Sequence, residues 1–247
     1  MVWGLLILVV TASCATALFI AWAVGRGRAD RITHADDDNV GIKIGAAFGV
    51  YGIILGFAVV VAQQSYTDAQ YSLRQEAGAA VAAVHVAQAL PGGAGQPTLD
   101  GLAAYLKADL ADWSSLSETA LVSTSSSALD DVYVAVQDLS VNPAFSSAQQ
   151  ALFTTLVQID SGRTNRILVS RDGTPMFTWI LLVGGGALVI AMAALLHFES
   201  NRLRILLLVG MTALISVALF TIWALSNPFA GPIPIDSEPL QHVLQRI

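Results

Sequence analysis

The chain has 247 residues, 55% of them hydrophobic and 12% charged, which is too apolar for an ordinary soluble domain. A formal net charge of -6, with no Gly-rich phosphate loop and no aromatic-basic patch, argues against any nucleic-acid partner. The one cysteine, Cys14, can form no intramolecular disulfide, and His34, His85, His197 and His242 are scattered, so neither a metal site nor a cofactor is expected.

Residues 2–24 carry no charge and suffice to cross a hydrocarbon core about 30 Å thick. No basic residue precedes this run, whereas Arg26, Arg28 and Arg31 follow it, the flanks of an uncleaved anchor rather than of a signal peptide. A second span is expected at 41–62, with Lys43 near its start. Its glycines Gly41, Gly45, Gly49, Gly52 and Gly56 recur every three or four residues and share one helix face. Close helix packing is the first reading of such a stripe, because small residues let backbones approach. A narrow pore in an oligomer is the second, with Phe48, Ile54 and Phe57 as an apolar constriction.

The helical period runs on without a breaker through Tyr66, Ala69, Leu73, Ala77, Ala80, Val84 and Ala87, so the second span should continue as one helix until Pro91-Gly92-Gly93. Thr98 is the expected N-cap of the next helix, whose stripe reads Leu99, Leu102, Leu106, Leu110 and Trp113. Another is expected over residues 115–139, weakened by the serines at 123 and 125–127. A last bundle helix begins at Asn142-Pro143 with the stripe Phe145, Ala148, Leu152, Leu156 and Ile159, and extending that stripe reaches Arg163 and Arg166. Charges at core-facing positions require partners. Counting residues from the membrane sets Glu76 level with Arg163, and Asp68 with Arg166 or Arg171. An ion-pair network fixing helix register is the first expectation for these residues, and ion or ligand coordination the second.

Two further spans are expected at 176–198 and 205–226, the first of them containing Gly184, Gly185 and Gly186 as another close-contact surface. The tail that follows, with Asn227-Pro228-Phe229 and Gly231, is turn-forming and should pack on the bundle. The whole chain reads as an all-α membrane protein with four transmembrane helices. Residues 1–62 and 175–226 supply one pair each, 63–174 form an antiparallel helical bundle continuing spans two and three, and 227–247 are a Pro-rich tail. Arg26, Arg28, Arg31 and Lys43 in one short loop and Arg202 and Arg204 in the other place both loops in the cytoplasm, and hence the bundle and both termini outside. No catalytic constellation is visible within the spans, so an enzyme is not expected.

Several stretches resemble a known family, the bestrophin-like membrane proteins. They are Gly56-Phe57-Ala58-Val59-Val60-Val61, Asp68-Ala69, Glu76-Ala77, Arg163 with Arg166, Pro175 with Trp179, and Asn227-Pro228-Phe229 with Gly231. At the position before Pro-Phe this chain has Ser226-Asn227 where the family usually has aspartate or arginine. The resemblance implies a distant likeness to bestrophins, which are pentameric anion channels carrying their helical domain on the cytoplasmic side, opposite to the side the basic loops imply. Two functions are therefore carried forward: an oligomeric channel or channel-like pore in a bacterial inner membrane, and a non-conducting accessory or sensory subunit of a larger membrane complex. Either is embedded in lipid, as a homo-oligomer or as one subunit of that complex.

Overall fold

The computed structural model describes residues 34–113, 124–171, 174–194 and 201–247, together with positions 4, 7, 11, 13 and 15. Apart from those five positions, the expected first span lies outside the described residues, as do Arg26, Arg28 and Arg31. Among the described residues the chain is helical, with no strand. The helices are α1 (His34–Gln88), α2 (Gln96–Ala111), α3 (Thr124–Asp138), α4 (Ser146–Arg171), α5 (Met176–Ala194), α6 (Asn201–Leu225) and α7 (Glu238–Leu244). Three of them, over Gly45–Gln88, Met176–Ala194 and Ile205–Leu225, are long and apolar enough to cross a membrane.

The chain divides into two compact units, Met1–Gln64 with Thr174–Ser226, and Ser65–Gly173 with Asn227–Ile247. In the first, the ring of Tyr51 on α1 lies where side chains at Gly185 and Gly186 of α5 would have to sit; a Cβ at Gly186 would come 2.8 Å from its hydroxyl. That hydroxyl donates to the Leu182 carbonyl at 2.8 Å, satisfying a buried polar atom in an apolar setting. Val189 and Ile215 complete this contact, and Ala193, Ala194 and Leu208 form a second one between α5 and α6. Thr174 and Ser226, which flank the two helices, share a 2.6 Å hydroxyl–hydroxyl hydrogen bond.

The second unit is the bundle. The stripe Ala69, Leu73, Ala77, Ala80, Val84 and Ala87 of α1 is buried against Leu99, Leu102 and Leu106 of α2, Leu129, Val132 and Val136 of α3, and Leu152, Leu156 and Ile159 of α4. α1 ends at Gln88, and Gly92 and Gly93 turn the chain with φ of 66° and 74°, a region side chains disfavour. α2 starts earlier than the Thr98 cap implies. Gly95 is its N-cap and Pro97 occupies the first turn, where a missing N–H costs nothing. Thr98 lies inside the helix, fully buried. The expected third bundle helix is described only from Thr124. Asn142 caps the turn into α4, its side chain accepting from the Ala144 N–H at 3.0 Å. The tail joins the same core through Phe229, Ile235, Leu240 and Val243.

Candidate functional site

Four buried positions on the packed faces of the bundle carry charge. Glu76 and Arg166 have no exposed surface, and Arg163 and Asp109 are each 2% exposed. Arg166 Nε donates to Glu76 Oε2 at 3.0 Å and its Nη2 to Glu76 Oε1 at 3.2 Å, a two-pronged pairing, while Nη2 also reaches Asp109 Oδ2 at 2.6 Å. The Tyr105 hydroxyl donates to Glu76 Oε1 at 2.5 Å. Arg163 Nε donates to Ser125 Oγ at 3.2 Å and lies 3.9 Å from Asp109 Oδ1. One polar cluster therefore ties α1, α2, α3 and α4 together. Two guanidinium groups face two carboxylates, so it is formally neutral.

The pairing differs from the one expected by height. Glu76 is joined to Arg166, not Arg163, and Asp68, exposed to solvent, is not Arg166's partner. The cause is Gly162. A Cβ there would come 2.9 Å from the Glu76 Cβ and 3.1 Å from its Cα, so α4 approaches α1 at that point through bare backbone. Helical side chains lean toward the N-terminus of their helix, so Arg166, one turn on, projects back toward the Glu76 carboxylate that this approach brings close. Arg163 is turned toward α2 and α3 instead.

Electrostatics follow from this burial. Burial pushes the Glu76 carboxyl above its usual range, with Arg166 pulling it down and Asp109 raising it further. Burial works to lower the Arg166 pKa, but Glu76 and Asp109 outweigh it and hold the guanidinium above its ordinary value. Burial, then the Glu76 and Asp109 charges, lift Tyr105 well above the normal phenol range. Arg166 Nη1 has no hydrogen-bond partner among the described residues, and its guanidinium carbon sits 4.8 Å from the centroid of the Trp113 ring, a cation–π contact.

Tyr105, Asp109, Trp113 and Ser125 were not among the charged-network residues read from sequence. Asp109 did leave a signal, an acidic residue three positions after Leu106 on an otherwise apolar stripe. Among the described residues no group of three or more His, Cys, Asp or Glu is placed to hold a metal.

The glycine face of α1 has a different setting. At Gly45, Gly49, Gly52 and Gly56 a Cβ would meet nothing within 4 Å among the described residues, and Phe57 is 68% exposed. Gly41 lies in α1 where side-chain surroundings are not described. Among the described residues of this unit, small residues admit a close neighbour at Gly185 and Gly186, under Tyr51. In the tail, Pro228 and Phe229 are buried and Gly231 is half-buried.

A family model described as Bestrophin-like domain matches residues 11–240. Two crystal structures of a bacterial bestrophin homologue from Klebsiella pneumoniae, each with one substitution, match the fold with a TM-score of 0.73 at 12% identity. They cover 98% of this chain and 98% and 97% of their own. A third crystal structure, of a membrane protein, matches with a TM-score of 0.72 at 12% identity, covering 98% of this chain and 96% of its own. No curated protein sequence matches the chain.

Proposed function

The chain belongs to the bestrophin-like family, and from that premise we propose that it assembles into an oligomeric, channel-like pore in a bacterial plasma membrane. The glycine face of α1 is the pore or subunit-contact surface, with Phe57 beside it as an apolar constriction. What supports this reading is the open glycine face itself: Gly45, Gly49, Gly52 and Gly56 have no neighbour among the described residues. A face of bare backbone beside exposed Ile53, Phe57 and Val60 is suited to a second copy or to a pore axis. The buried Glu76–Arg166–Asp109–Arg163 cluster then serves as the register lock of the bundle. In this reading the basic loops lie in the cytoplasm and the bundle outside.

The test is imaging of the purified protein for subunit number, together with ion flux in liposomes reconstituted with wild type and with Gly52→Leu. A symmetric ring and a flux altered by the substitution are expected. A strictly monomeric protein, or one silent to every anion and cation tried, overturns the reading. The second function, a non-conducting accessory or sensory subunit, draws on an open, uncharged groove of about 550 Å³ on α4, lined by Gln149, Gln150, Phe153, Val157 and others. Recovery of one stoichiometric membrane partner, with no flux, favours it.

A further inference from the structure

Trp113, just beyond the end of α2, uses its side chain in three directions. The Arg166 guanidinium stacks over the ring. The Phe229 ring meets it at 5.5 Å between centroids and 89° between planes, the edge-to-face geometry aromatic pairs prefer. Its Nε1 donates to the Ile235 carbonyl at 3.3 Å. Phe229 and Ile235 belong to one small loop. The Ile235 N–H donates to the Pro228 carbonyl at 2.7 Å and the Gly231 N–H to the Asn227 carbonyl at 2.8 Å. Beyond it, Leu240 and Val243 of α7 are buried in the bundle core, and Gln88 Nε2 donates to the Arg246 carbonyl at 3.2 Å. A single indole therefore touches both the buried charge cluster and the segment that follows the last membrane helix.

We propose that residues 227–247 form a latch on the bundle, and that Trp113 is the positioning residue that couples this latch to the Arg166–Glu76–Asp109 cluster. The coupling is physical. Two carboxylates fix the guanidinium over the indole face, 4.8 Å from the ring centroid, and the indole so held presents its N–H to Ile235 and its ring to Phe229. A guanidinium that turns away leaves the indole free to rotate, and both latch contacts weaken together. By thermodynamic reciprocity, a latch pulled off the indole loosens the cluster by the same factor. The inference does not depend on the pore reading, since it holds whether or not the protein conducts.

Amide hydrogen exchange, read by mass spectrometry on the full-length purified protein, tests it in wild type, Arg166→Lys, Trp113→Leu and the double variant. Lysine keeps the charge but lacks the planar fork that stacks. Arg166→Lys should speed exchange at the Gly231 and Ile235 amides by roughly two- to thirtyfold, the range of a partly to fully desolvated cation–π contact, and Trp113→Leu, which also loses the Nε1 donor and the Phe229 ring contact, by at least as much. The double variant should be no faster than Trp113→Leu alone. Trp113→Phe, which keeps a ring but loses the donor, should fall between wild type and Trp113→Leu. If Arg166→Lys unfolds the bundle, Glu76→Gln makes the same test through the guanidinium's partner. Unchanged exchange at 227–236 in Arg166→Lys and Glu76→Gln, or effects that simply multiply in the double variant, overturns the proposal.

Discussion

Removing the Glu76 carboxylate is the sharpest perturbation the bundle offers. Glu76→Ala deletes both hydrogen bonds from Arg166 and the one from Tyr105, and leaves a guanidinium with no exposed surface, with Asp109 as its one remaining carboxylate among the described residues. Breaking one partner out of a buried pair costs about 3–5 kcal/mol, because the other charge stays desolvated. An orphaned Tyr105 hydroxyl adds to this, by roughly 1–3 kcal/mol where it finds no new acceptor. At about 2–4 °C per kcal/mol for a chain of 247 residues, the pair alone predicts a fall in Tm of roughly 6–20 °C. The assay is thermal unfolding of the detergent-solubilised protein followed by circular dichroism, with Asp68→Ala as the exposed-carboxylate control, expected within about 0.5 kcal/mol of wild type. Double-mutant cycles then apportion the loss: Glu76 should couple strongly to Arg166 and weakly to Arg163. If Glu76→Ala is no more costly than Asp68→Ala, or if its coupling to Arg163 is the larger, the reasoning fails.

Gly162→Ala should destabilise the bundle by about 1–3 kcal/mol, since the added methyl meets the Glu76 Cβ at 2.9 Å and the Glu76 backbone at 3.1 Å; chemical unfolding of the variant measures this, and a neutral result would mean α4 can move off α1 freely. Tyr105 gives an alkaline signature. Its pKa is raised in the folded state, so its contribution is fully present below the unfolded value near 10 and is lost as pH rises toward the folded value, at up to about 1.4 kcal/mol per pH unit. Unfolding free energies between roughly pH 9 and 11.5 should show this slope in wild type and a shallower one in Tyr105→Phe; equal slopes refute it. For orientation, Val141 is 87% exposed on the bundle. Val141→Cys in a Cys14→Ser background should react with an impermeant thiol reagent in intact cells, and protection would set the bundle on the cytoplasmic side.

The placement of elements was legible in the sequence wherever one physical rule dominated. Uninterrupted apolar runs marked the candidate spans at α5 and α6, and a three-to-four-residue period unbroken from the membrane run to Pro91 foretold that the second span would run on as one helix, although α1 begins at His34, ahead of the expected start at 41. The stripe of α4 likewise pointed Arg163 and Arg166 inward, because a helical period fixes the face a residue takes whatever its chemistry. Starts were less legible. Thr98 has the chemistry of a cap, but Pro97 next to it suits the first turn and moved the start to Gly95.

Which charge meets which was beyond the sequence. A residue count along two helices gives heights to within a turn, and one turn separates Arg163 from Arg166. The choice between them was made by Gly162, whose missing side chain lets α4 close on α1 at the height of Glu76, and by Asp109 and Ser125, brought from two other helices to face Arg163. In the same way the sequence supplied two sets of glycines with one motif. Only the packing of Tyr51 separated the set that is filled, Gly185 and Gly186, from the face of α1 that remains open among the described residues. Periodicity is a property of a single helix and is written in its residues. Pairing is a property of how several helices approach one another, and that distance is set by the smallest side chain at each crossing.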